Sequence, residues 1–148
     1  MEAQKDFKEL LELFNQHKVE YMIVGAYALA YHGVPRFTGD IDIFVNPSPG
    51  NAKNILSALA DFGFDSLNLT IDDFKIPNSV VQLGVPPVRI DIITSITSVT
   101  WEEADAGKSE GTYGDVPVYF LGREQYIANK RAIGRKKDLA YLESLGEE

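Results

Sequence analysis

The sequence predicts an α/β (α+β) chain: a β-sheet flanked by helices, with a helical pair at the C-terminal end. Three observations predict it. Near the N-terminus, Phe7, Leu10, Leu11 and Phe14 follow the i, i+3, i+4, i+7 spacing of an amphipathic helix. The short apolar runs Tyr21–Val24, Asp40–Val45 and Val88–Ile93 have the length and composition of strands. Helical and strand-like runs succeed one another along 148 residues, a length that predicts one domain, 1–148, with a core of its own.

Each element has a local reason. The first helix covers about residues 3–16 and lays its apolar stripe on the sheet. The strand Tyr21–Val24 ends at Gly25, which opens a helix through Tyr31, and Gly33 with Pro35 stops that helix. After the strand Asp40–Val45, Pro47-Ser48-Pro49 makes a turn in which Ser48 caps the next helix and Pro49 fits its first turn. That helix, about 49–62, is expected to bury Ile55, Leu56, Leu59 and Phe62. Thr70, Asp72 and Asp73 indicate a short capped helix near 70–75. Ser79–Leu83 and Val88–Ile93 read as a hairpin joined through Gly84-Val85-Pro86-Pro87, a loop longer than minimal. Residues 94–109 give weaker signals: one helical turn at Trp101–Ala104, then a loop at Ala106–Ser109. Val116–Leu121 is the last predicted strand. Helices of about 123–133 and 135–145 follow, broken at Gly134.

Composition excludes several classes. No apolar run approaches the roughly 20 residues that span a bilayer, so no membrane segment is expected. The charged start, Met1-Glu2-Ala3-Gln4-Lys5-Asp6, does not read as a signal peptide. The chain has no cysteine, which removes disulfides, thiolate metal sites and a cysteine nucleophile, and fits a cytoplasmic location. Net charge is −8, yet residues 121–137 carry six bases against the single acid Glu124. A basic patch on an acidic body suits a compact anion such as a nucleoside triphosphate better than a long duplex. Read as a charge run alone, the segment is equally a solvated helix face.

The run Thr38-Gly39-Asp40-Ile41-Asp42-Ile43-Phe44-Val45 carries the chemistry. On a strand, residues i and i+2 share a face, so Asp40 and Asp42 stand side by side while Ile41, Ile43 and Val45 point the other way. Like charges this close raise each other's pKa unless a cation lies between them. A divalent, oxygen-seeking ion, Mg²⁺ first and Mn²⁺ second, keeps both ionised. A bare Asp-x-Asp at a strand mouth is more often a pair of solvated acids. Here the context tips the balance: a strand ending in Gly25-Ala26 precedes the acids, and a third acid, Asp91, lies in the later strand-like run.

Gly25-Ala26, Asp40-Ile41-Asp42 and Asp91 resemble the pattern of the nucleotidyltransferase superfamily, the polymerase-beta-like fold. That pattern is a strand, Gly-Ser or Gly-Gly, a helix, Asp-x-Asp on the next strand, and a later Asp. The fuller run from Gly25 through Arg36-Phe37-Thr38-Gly39 to Asp42 is similar to a small branch of AbiEii-like toxins and minimal nucleotidyltransferases. So is the C-terminal Lys130 … Gly134-Arg135-Lys136-Lys137-Asp138-Leu139. The resemblance implies a mixed, twisted sheet and transfer of a nucleoside monophosphate from an NTP, such as ATP, to a hydroxyl. It implies Asp40, Asp42 and Asp91 as metal-binding catalytic residues. Gly25 and Ala26, at a helix start with free N–H groups, and Arg36, Thr38 and Lys130 become the nucleotide-binding residues. Many members carry Ser where this chain has Ala26. A hydrogen bond to a charged group contributes on the order of 1.5–3 kcal/mol, so its loss weakens nucleotide binding unless backbone amides or Lys130 compensate.

Other residues divide between roles. Arg36 reaches a triphosphate or acceptor, or is a surface base; Thr38 bonds the loop or forms the turn. Lys130 meets phosphate or pairs with the acid cluster. Lys137 and Asp138 form a local ion pair worth little. Arg89, two before Asp91 and on its face, neutralises the carboxylates when no metal is present. His17 and His32 read as cap or packing residues, since no second His or Cys lies near His32. Trp101 reads as core more readily than as a base-stacking platform.

Three functions compete. The first is a Mg²⁺-dependent nucleotidyltransferase whose acceptor is a protein, an RNA such as tRNA, or a small molecule. The second is a catalytically weak nucleotide-binding or toxin–antitoxin interaction module of the same fold, with a helical partner protein encoded nearby. The third is an acidic domain holding structural Ca²⁺, which the missing Ca²⁺-loop pattern disfavours.

Overall fold

The computed structural model describes residues 4–34, 39–64, 68–85 and 88–146. Helix α1 (Lys5–Gln16) leads into strand β1 (Tyr21–Val24), helix α2 (Gly25–Tyr31) and strand β2 (Asp40–Val45). Helices α3 (Pro49–Leu59) and α4 (Ile71–Lys75) precede strands β3 (Val80–Val85) and β4 (Val88–Ile93). Helix α5 (Trp101–Gly107), strands β5 (Ser109–Tyr113) and β6 (Val116–Phe120), and helices α6 (Arg123–Ile133) and α7 (Lys136–Ser144) complete the order. Among the described residues no helix is long and apolar enough to cross a membrane.

The six strands form one mixed sheet in the order β3-β4-β2-β1-β6-β5. β1 is antiparallel to β2 and parallel to β6; β2 is parallel to β4. Side chains alternate between the two faces. On one face lie Tyr21, Ile23, Ile41, Ile43 and Val45, all buried; Phe14 of α1 meets Tyr21 there, with ring centroids 5.6 Å apart. On the other lie Met22, Val24, Asp42 and Phe44, and Trp101 of α5 packs edge-on against Phe44. Trp101 is therefore core, as its sequence context suggested.

Local chemistry explains most boundaries. Ser48 Oγ accepts a hydrogen bond from Asn51 N at 3.2 Å, and Pro49 sits in the first turn of α3. Capping boxes start α4 at Thr70 and α5 at Thr100. α3 stops at Leu59 and passes into a wide π-type turn, Ala60–Phe64, where Gly63 has φ +107°. Ile55 and Leu59 are buried as expected, whereas Leu56 and Phe62 are only half-buried. The hairpin strand β3 runs past Leu83 to Val85, with Gly84 at φ +82° facing the Val88 carbonyl.

One strand, β5, lies where the sequence suggested no element beyond the loop ending at Ser109. β5, Ser-Glu-Gly-Thr-Tyr, lacks an apolar alternation because it is an edge strand paired only with β6. Its cue lies one step on: Gly114-Asp115 connects the paired Tyr113 and Val116, a two-residue hairpin signature. Gly111 is required there, since a Cβ would stand 2.6 Å from the Tyr31 ring.

Asn51 joins the layers. Its side chain is buried, accepts from Glu20 N at 2.7 Å, and donates to the Glu20 and Asn46 carbonyls at 3.0 Å each. It ties the entry of β1 to the exit of β2. Asn51→Ala is expected to lower unfolding free energy by about 3 kcal/mol, since three backbone groups lose their partner. Ser48→Ala, which removes one cap bond, should lower it by about 1 kcal/mol. Urea midpoints measure both, and equal effects would contradict the tie.

Candidate active site

The antiparallel pairing sets the end of β1 beside the start of β2, with Val24 opposite Asp42. The parallel pairing sets Asp42 opposite Asp91 and Asp40 opposite Arg89. Register partners on adjacent strands share a face, so Asp40, Asp42 and Asp91 converge on one patch of the sheet. Asp91 is buried, and Asp40 and Asp42 are half-buried.

Arg89 answers two of the three charges. Its Nη2 lies 3.0 Å from Asp40 Oδ2 and donates to Asp91 Oδ2 at 3.2 Å. This is the neutralising role that its position two residues before Asp91 suggested. Its Nε stands 3.1 Å from Asp91 Oδ1, yet both atoms are buried without a hydrogen bond. Among the described residues no three acidic or imidazole groups are already gathered at the spacing of metal ligands.

Asp42 is the least compensated. Burial, then the charge and hydrogen bond of Asp91, then Asp40, push its carboxyl up to about 6, against a smaller pull from Lys130. Gly25 explains how the carboxylate fits. Gly25 has φ +68°, and a Cβ there would overlap Asp42 Oδ2 and stand 3.1 Å from Asp42 Cγ. The glycine is thus needed first for the close approach of Asp42. Ala26 follows it, half-buried and without a hydroxyl. α2 is only seven residues long, so its dipole adds little to an anion site.

Gly25, Asp42 and Lys130 line one cleft of about 330 Å³. Its far wall is α6, which presents Tyr126, Asn129, Lys130 and Ile133 at i, i+3, i+4 and i+7. That stripe was legible as helical spacing, and sequence reasoning passed over Asn129. Asn129 is buried and donates to the Thr97 carbonyl at 3.0 Å, pinning the loop after β4 to α6. Lys130 thus does reach the acid cluster's cleft. Arg36 and Thr38 lie outside the described residues.

Three smaller expectations resolve locally. Asp138 does not serve Lys137; it turns inward, fully buried, to Arg135 and Lys130. Helix α7 places the two on different sides, because successive helical residues diverge by about 100°. His17 caps α1 and its Nε2 lies 2.7 Å from Asp61 Oδ2. His32 Nε2 meets the Leu121 carbonyl at 2.8 Å, a packing role.

The same arrangement of sheet and helices occurs in solved structures. A candidate nucleotidyltransferase from Thermotoga maritima superposes with a TM-score of 0.62 at 16% identity, covering 93% of this chain and 88% of that one. The lincosamide antibiotic adenylyltransferase LnuA, in its lincomycin-bound form, gives a TM-score of 0.55 at 16% identity, covering 98% and 97%. The fold is that of the nucleotidyltransferases. At this identity the likeness speaks for the fold. No protein-family model matches the sequence, and no curated protein matches it. In this nucleotidyltransferase fold the acid patch lies at the junction of β1, β2 and β4, beneath α6.

Two outcomes are expected. The folded Asp42 carboxyl holds its proton up to about pH 6, above its ordinary 3.8, whereas the unfolded one releases it near 3.8. The folded state therefore binds the extra proton in that window, and metal-free stability falls as pH rises through it. Asp42→Asn should flatten this stretch of a thermal-melt profile; an unchanged slope would refute the assignment. Gly25→Ala, strained in φ and overlapping Asp42, should destabilise by about 1–3 kcal/mol in chemical denaturation and displace the Asp42 carboxylate.

Proposed function

We propose that this chain is a metal-dependent nucleotidyltransferase, moving a nucleoside monophosphate from an NTP to a hydroxyl. One observation carries the reading: Asp40, Asp42 and Asp91 meet on adjacent strands, and Asp42 lines a cleft with Gly25 and Lys130. The nucleotidyltransferase fold of the chain supports it.

The residues fit a divalent cation. Asp91 Oδ1 is a buried acceptor with no hydrogen-bond partner, and Asp42 is a crowded carboxyl whose charged form a cation would stabilise. The donors are all carboxylate oxygens, the set preferred by Mg²⁺ and, next, Mn²⁺. Asp40, Asp42 and Asp91 would hold the ion. Bound there, it would neutralise the acids and the charge developing on phosphate.

The chain's own groups have separable tasks. Lys130 meets triphosphate oxygens as a point charge. Gly25 leaves the backbone open beside Asp42. Asp91 takes the proton of the acceptor hydroxyl, whose oxygen then bonds to the α-phosphorus while the bond to pyrophosphate breaks. Arg89 releases Asp40 and Asp91 when the acids take up a cation. The acceptor is a small molecule, a protein or an RNA such as tRNA, and LnuA is a solved example of the fold described as an antibiotic adenylyltransferase.

A second reading is a nucleotide-binding or toxin–antitoxin module of the AbiEii-like kind, with a helical protein partner. The Arg89 bridge across Asp40 and Asp91, together with Ala26, favours it, since both weaken a site built for turnover.

Mg²⁺ with ATP, GTP, CTP or UTP is expected to raise the melting temperature, and α-labelled NTP should leave label on an acceptor. Asp42→Asn should remove both effects. A melting shift without label transfer favours the second reading, and no shift with any NTP and metal defeats the first reading and the nucleotide-binding form of the second.

A further inference from the structure

Lys130 enters the cleft from an unfavourable place for an ammonium. Its side chain is 14% exposed and lies against the rings of Tyr126 and Tyr141, 5.4 and 5.6 Å from their centroids. Beneath it is Asp138, a carboxylate with no exposure at all. Gly134, at φ +70°, ends α6 in a left-handed turn that brings α7 back under Lys130.

Capping does not account for this burial. Asp138 does complete a capping box at the start of α7, with Arg135 N donating to its Oδ2 at 3.2 Å. Glu103 does the same for α5 from an exposed position. What burial adds is charge pairing. Arg135 Nε donates to Oδ2 at 2.7 Å, and Nη2 donates to Oδ1 at 3.3 Å. Lys130 Nζ lies 3.6 Å from Oδ1, close enough for attraction and too far for a hydrogen bond.

We propose that Asp138 is a positioning residue for Lys130: from the next helix it holds the ammonium over the cleft by charge alone, leaving its N–H donors for a phosphate. This rests on the reading of the cleft as a triphosphate site. The groups facing Lys130 are Asp138, Arg135 and Tyr141 from α7, Tyr126 from α6 and Asp42 from β2. Burial lowers the Lys130 pKa, Asp138 opposes that, and Arg135 adds to it. An ammonium needs its proton to hold phosphate. Loss of the Asp138 charge therefore moves its titration down in pH, and loss of the Arg135 charge moves it up.

The test follows the Lys130 side-chain resonance by NMR across pH, assigned by its disappearance in Lys130→Arg. Asp138→Asn should titrate lower than the wild-type chain. Arg135→Gln, which leaves the Asp138 carboxylate itself in place, should titrate higher and serves if Asp138→Asn does not fold. Calorimetry with inorganic tripolyphosphate should show the alkaline loss of binding shifted down equally in Asp138→Asn, and no such shift when Lys130 is Arg. A purely structural Asp138 would lower melting temperature and leave the Lys130 titration in place, which overturns the proposal. So does a downward shift in Arg135→Gln. If the resonance shifts as expected but the wild-type chain binds no tripolyphosphate, the tether stands and the triphosphate reading fails.

Discussion

Mutual repulsion among Asp40, Asp42 and Asp91 is the constraint around which the molecule is arranged. Backbone pairing forces the contact: the β2–β4 register puts Asp42 beside Asp91, and hydrophobic burial of Ile41, Ile43 and Ile92 locks that register. A slip of one residue would turn the acids into the apolar layer. The charges must therefore be met where they stand. Arg89 meets two, on the same face of β4. Asp42 is left to hold a proton more strongly than usual. A cation placed among the three acids would relieve repulsion already present in the fold.

The rest of the structure sets what can approach the acids. Gly25 removes a side chain at the closest point, so the end of β1 becomes an opening beside Asp42. α6 roofs the opening with one helical stripe, and Asn129 fastens that roof to the loop after β4. Among the described residues that line the opening the base is Lys130, and its surroundings are set by α7. Of the basic C-terminal segment, Arg135 serves Asp138 and Arg123 Nη2 serves the Leu145 carbonyl at 2.8 Å, so much of that charge is structural. The acidic body and concentrated basic point fit a compact anion better than an extended one.

Much of this was legible along the chain. The Asp-x-Asp alternation predicted a strand and a shared face, and Gly25 marked a sharp junction. Thr70, Ser48 and Gly134 marked helix ends through the chemistry of caps. β5 was missed because an edge strand need not carry an apolar face, and the Leu56 and Phe62 burial was overstated because α3 unwinds at Ala60. Asn129 and Asp138 were passed over or misassigned because helical spacing names a face and not its neighbour.

By itself, then, the sequence determined most of the elements, their facing sides and the presence of three acids, since these follow from periodicity within ten or so residues. Only the tertiary structure decided that β2 lies between β1 and β4, that Arg89 bridges Asp40 and Asp91, and that Asp138 lies under Lys130. The strand order and the Arg89–Asp40 contact join residues far apart in the chain, and the nearer Lys130–Asp138 contact depends on the fold-back of α7 at Gly134.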